Sequence, residues 1–141
     1  MKIINLRLEK QINLKKGKGV CIIAAGLILD RAIKAVDVLK ERGHSIELLE
    51  MPSIKPIDKE SIITAARRTG RIITIEDHNI IGRLGSAVAE VLAENYPTKM
   101  KMIGINDTFA ESAEYPDLLD KYELSINNMV RQTEEMIIKN N

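Results

Sequence analysis

Val20-Cys21-Ile22-Ile23-Ala24-Ala25-Gly26 decides the fold: a short, unbroken apolar run closed by glycine, followed at once by a helical stripe. An apolar run without alternation suits a strand covered on both faces, as in a parallel sheet. Leu29, Ala32, Ile33, Val36 and Leu39 then recur at steps of three and four, which predicts a helix with one apolar face. Asp30 and Lys34 form a favourable i,i+4 pair on it, and Arg42 with Gly43 marks its end.

Downstream the cycle repeats. Ser45 to Leu49 reads as a strand, and residues 51–57 as a connection stiffened by Pro52 and Pro56. Asp58 is a good N-cap for a helix running to Arg68 and ended by Gly70. Arg71 to Glu76 is rich in β-branched residues and predicts a third buried strand. Leu84, Val88, Val91, Leu92 and Asn95 mark the next helix, broken by Pro97, and Lys101 to Ile105 a further strand. A short helix is expected near Pro116 to Lys121. The last helix is capped by Ser125, with Ile126, Met129, Val130, Thr133 and Ile137 on its inner side. Lys10 to Leu14 predicts an edge strand antiparallel to its successor across the Lys-Lys-Gly-Lys-Gly turn, since so short a link forbids a crossover. Strand–helix alternation of this kind specifies an α/β domain, a three-layer sandwich with a mostly parallel sheet.

Composition narrows function by exclusion. The 141 residues, 45% apolar, suit one globular domain over 1–141 with its core at about 10–138. Lys plus Arg is 21 against 20 for Asp plus Glu, interspersed, so no basic face offers itself to nucleic acid. No apolar run approaches the ~20 residues of a membrane span, and residues 1–7 lack the pattern of a signal peptide. The one cysteine, Cys21, lies inside the first buried strand and reads as an inert thiol, in keeping with a cytoplasmic setting.

Ligands of an open parallel sheet bind beyond the carboxyl ends of its strands. Those ends carry Gly26, the Glu76-Asp77-His78 cluster, and Asn106-Asp107. The segment Gly82-Arg83-Leu84-Gly85-Ser86 opens a helix whose free amides suit an anion, a charge Arg83 would favour; it also reads as a plain tight turn. Glu76, Asp77 and His78 suit acid–base work, or bonding to backbone amides or a neighbouring subunit. No metal pattern exists, since His44 stands far from His78 and no cysteine pair occurs, and Ser86 lacks a nucleophile elbow. Phe109 is expected in core or interface packing.

Taken together, several segments resemble one family. Residues 21–26 resemble a strand ending Ala-Thr-Gly, and Ile54-Lys55-Pro56-Ile57-Asp58 a connection Ile-Lys-Pro-Leu-Asp. Glu76-Asp77-His78 with 81–90 is similar to Glu-Glu-His followed by Gly-Gly-Leu-Gly-Ser-Ala-Val-Ala-Glu. Residues 103–112 resemble a stretch ending Phe-Gly-Glu-Ser-Gly, and Leu118 to Tyr122 completes the order. This is the pattern of the transketolase C-terminal domain, from about Gly19 to Val130, and the 103–109 stretch is closer to transketolases than to deoxyxylulose-phosphate synthases or 2-oxoacid dehydrogenase β subunits.

The resemblance implies a sheet of about five strands with the first antiparallel, in an enzyme moving a two-carbon ketol unit between sugar phosphates. It implies that thiamine diphosphate and Mg²⁺ are held outside this chain, whose sequence has no Gly-Asp-Gly; Asn127-Asn128 falls in the last helix. No catalytic, cofactor-binding or metal residue carries over. The expected role is scaffold and assembly, as homo-dimer or hetero-oligomer with the remaining transketolase domains or subunit, through the region 76–86. The alternatives are a regulatory nucleotide- or phosphate-binding module and a 2-oxoacid dehydrogenase β-subunit domain. Arg83, Ala110, Ala113 and Glu123 replace family glycines, at about 1 kcal/mol each wherever the glycine has positive φ.

Overall fold

The computed structural model describes residues 12–15, 17–52, 54–79, 83–105 and 124–139, with backbone only for 12–15, 78, 79 and 105. Strands β1 (Ile12–Lys15), β2 (Val20–Ala25), β3 (Ile46–Glu50), β4 (Arg71–Asn79) and β5 (Lys99–Ile105) lie in the order β1-β3-β2-β4-β5. The parallel sheet is the four strands β3-β2-β4-β5. Helices α1 (Leu29–Glu41), α2 (Lys59–Thr69), α3 (Leu84–Asn95) and α4 (Ile126–Ile138) cover it. The expected short helix at 116–121, with Asn106, Asp107, Phe109, Ala110, Ala113 and Glu123, lies outside the described residues.

The alternation inside each strand builds two cores. Val20, Ile22 and Ala24 of β2, Ile46 and Leu48 of β3, and Ile73 and Ile75 of β4 point to the face that α1 and α4 cover. Cys21, Ile23, Leu49 and Ile72 point to the other, under α2 and α3. Nearly all are fully buried, and each large aliphatic side chain so placed contributes about 1.5–3 kcal/mol by leaving water. This double coverage is why the strands read as unbroken apolar runs.

Local signals end the helices where the residues require. The Asp58 side chain accepts from the Ser61 amide at 3.2 Å, and Gly70 closes α2 at φ 71°. Ser125 accepts from the Asn128 amide at 3.1 Å, while Leu124 and Met129, four positions inside the helix from that cap, are both fully buried in one core, as in a hydrophobic staple. Asp30 and Lys34 pair at 3.2 Å. Asn95 ends α3, exposed, and donates to the Val91 carbonyl at 2.8 Å. On α4, Asn128 and Met136 are buried while Ile126 and Ile137 are half-buried.

The first strand departs from expectation in its partner. The link 16–19 is too short for a crossover, yet β1 runs antiparallel along β3, with Ile12 opposite Glu50 and Asn13 opposite Leu49, rather than along β2. Both edges of β2 are already taken by β3 and β4, and β1 takes the outer edge of β3. The link crosses the start of β3 at close range. A Cβ on Gly17 would lie 2.3 Å from the Ile46 carbonyl carbon, so no side chain fits there. The Gly19 and Lys18 amides bond to the Ser45 carbonyl and hydroxyl oxygens, each at 2.8 Å.

Candidate functional site at the switch point of the sheet

From β2 the chain turns to β3 on one side, then crosses back to β4 and β5 on the other. The carboxyl ends of β2 and β4 therefore flank a topological switch point, the ordinary ligand crevice of an open α/β sheet. A cleft of about 420 Å³ lies there, lined by Ala25, Gly26, Glu50, Met51, Pro52, Ile54, Glu76, Arg83 and Leu84. A second groove, about 510 Å³, shares Ile54 and Arg83 with it and runs between the 54–59 connection and α3 past Ser86, Ala87 and Glu90. Gly26 and Glu76 line the cleft, Ser86 lines the groove, and Arg83 lines both. Gly85 is buried, Gly82 lies outside the described residues, and His78 is described only as backbone in β4.

The chemistry inside the cleft is already engaged. Glu76 is 2% exposed, and its carboxylate accepts from the backbone amides of Leu84 at 3.1 Å and Gly85 at 2.8 Å. These are the first amides of α3, carrying the partial positive charge that would attract a free anion. The reading of 82–86 as an anion cradle is corrected in this respect: two of its donors hold a carboxylate eight and nine residues back in the chain. Of the readings open for Glu76, acid–base work or bonding to backbone amides or a neighbouring subunit, its carboxylate takes the bond to backbone amides.

Arg83 contributes no strain. Its φ is −119°, outside the left-handed region, so the side chain replacing a family glycine carries no left-handed cost. The residue is exposed at the cleft rim. Gly26 is the one that needs its lack of a side chain: φ is 83°, and a Cβ there would lie 3.2 Å from Asp77 Oδ1. Asp77 is half-buried against that turn, and Leu27 beside it is 75% exposed.

The Cys21 thiol is no nucleophile in the folded chain. Cys21 is fully buried, and burial first, with the nearby Glu47 carboxylate second, pushes its thiol well above the usual range. A thiolate would be required for attack. No group of three His, Cys, Asp or Glu among the described residues is placed to hold a metal ion. With the α3 amides bonded to Glu76, the described residues do not fit a magnesium diphosphate.

Sequence reasoning missed the buried ion pair at the opposite end of the sheet. Glu47 points from β3 onto the face bearing Cys21, and both its carboxylate oxygens accept from Arg68 Nη2 of α2. Glu47 is 2% exposed. The signal was one carboxylate in the otherwise apolar Ile46–Leu49 run. Sequence reasoning also missed Thr74 beneath α3, a polar residue in an apolar strand.

Comparison with known proteins agrees with this geometry. Residues 10–129 match the family described as transketolase, C-terminal domain. A 6-deoxy-6-sulfo-D-fructose transketolase subunit from Clostridium sp. is 34% identical over 134 residues, 95% of this chain but 42% of that protein. A 1-deoxy-D-xylulose-5-phosphate synthase of Desulforudis audaxviator is 37% identical over 86% of this chain and 19% of its own length. Identity alone therefore does not separate the two enzymes, although the 103–109 stretch reads closer to transketolases. A solved structure described as a split gene transketolase, inactive β4 tetramer, superposes with a TM-score of 0.89 at 40% identity, covering 95% of this chain and 44% of that one. The chain thus spans about two fifths of the transketolase subunits it resembles. Its fold is that of the split gene transketolase structure over nearly the whole length, and the chain belongs to the transketolase C-terminal domain family.

Proposed function

We propose that this chain is the assembly-forming C-terminal portion of a cytoplasmic transketolase, in which two-carbon ketol transfer between sugar phosphates takes place on other domains. Thiamine diphosphate and its Mg²⁺ would be held there. The observation that carries this reading is the bond of Glu76 to the Leu84 and Gly85 amides, which uses internally two donors a phosphate ligand would need. The same bond counts against a regulatory nucleotide- or phosphate-binding module. Arg83, exposed at the rim of the cleft that Gly26 lines, and the exposed Leu27 that follows Gly26 suit docking on the remaining domains or on a second copy. No described helix is long and apolar enough to cross a membrane.

Titration calorimetry tests the division of labour. The chain alone should show no Mg²⁺-dependent heat with thiamine diphosphate, and heat should appear once a polypeptide carrying the remaining transketolase domains is added. Tight, Mg²⁺-dependent binding to the chain alone overturns the reading.

A further inference from the structure

Beneath the first turn of α3 lies a contact that the scaffold role does not use. Thr74 of β4 and Met102 of β5 are register partners, so their side chains leave the sheet side by side on one face. Gly85 covers both: a Cβ there would lie 2.7 Å from Met102 Sδ and 3.1 Å from Thr74 Oγ1. Thr74 is fully buried, and its hydroxyl has no hydrogen-bond partner among the described residues. Such a hydroxyl is a standing cost, since it left water and received nothing in return. Met102 is 37% exposed on the edge strand, whereas Met51 and Met129 are 1% and 0% exposed. Part of the Met102 side chain thus reaches solvent, while its sulfur packs under Gly85 next to an unused donor.

We propose that Met102 is a peroxide-sensitive modification site whose sulfoxide is received by the Thr74 hydroxyl. A sulfur lone pair attacks one oxygen of hydrogen peroxide, and the S–O bond forms as the O–O bond breaks. The proton on the transferred oxygen passes to the departing hydroxide, which leaves as water. Sulfur is oxidised by two electrons and the peroxide reduced by two. The new oxygen is a strong acceptor in a largely apolar contact, where an unpaired one would be costly. Thr74 supplies the donor, so the domain tolerates the oxidised form and a sulfoxide reductase can restore the thioether. Because Gly85 also donates to Glu76, the oxidation state of Met102 bears on the seat of α3 and on the Arg83 surface it presents.

Peptide mass mapping of the full chain after graded hydrogen peroxide tests the site. Met102 should gain one oxygen about tenfold faster than Met51 or Met129, in line with exposure; equal rates overturn the proposal. Thermal melts of Thr74→Val test the receiver. Removing an unpaired hydroxyl should leave the reduced protein as stable as before, while oxidation should lower Tm by about 3 °C more than in the parent chain. Met102→Leu should abolish the peroxide-induced shift in both backgrounds. Identical shifts with and without the Thr74 hydroxyl overturn its role.

Discussion

Glu76 occupies, in this chain, the place where many α/β proteins bind a phosphate. The two amides it holds are buried with it, so Glu76→Ala leaves them without acceptors and should cost about 2 kcal/mol. Glu76→Gln keeps one carbonyl oxygen and should cost less. Urea unfolding reads both as shifts in midpoint at constant slope, and an alanine variant as stable as the glutamine one would contradict the cap. The Cys21 thiol, raised by burial, should resist iodoacetamide in the native protein and react once unfolded in urea. Asp58, Ser125 and Cys21 were legible from local sequence, because a cap or a buried strand position is specified within a few neighbours. For Glu76 only the kind of partner was legible: which amides it holds depends on how α3 packs against the end of β4.

Among the elements, α4 is tied to the rest of the fold by more than its apolar stripe. Glu134 accepts from Arg42 Nη1 at 2.7 Å and meets His44 Nε2 at 3.0 Å, both in the turn after α1. The bond to His44, followed by the charge and bond of Arg42, holds the Glu134 carboxyl below its usual 4.5. A carboxylate depressed in the folded state adds stability above its unfolded pKa, and that increment is lost as pH falls through the folded value. The parent chain should therefore exceed Glu134→Gln in urea midpoint at pH 7, and the difference should shrink toward zero below pH ~4. A gap that widens on acidification would contradict this clasp. At the start of α2, Asp58→Ala should cost about 1 kcal/mol in thermal unfolding. Helix bounds were legible from stripes and caps. The Arg42–His44–Glu134 clasp was not, since its members lie 90 and 92 residues apart.

For the whole molecule, the question is what the Arg83 rim meets in solution. If the rim serves assembly, static light scattering should find species above the 15.8 kDa monomer, or capture by the remaining domains. Arg83→Glu should reduce either while leaving the melting temperature unchanged, since an exposed residue at φ −119° carries little of the fold's stability. A strict monomer that binds no companion domain would remove the assembly role. The layering of α/β/α, the parallel sheet and its apolar runs were determined by the sequence alone, because periodicity reports which faces are covered and double coverage leaves no polar alternation. The ordered motifs likewise determined the family. Tertiary structure decided that β1 lies on β3, because β3 and β4 occupy both edges of β2. It also decided that the helix terminus at Leu84 is filled by Glu76, and that Thr74, Gly85 and Met102 meet. Each depends on groups from separate elements arriving at one point, which no local stretch encodes.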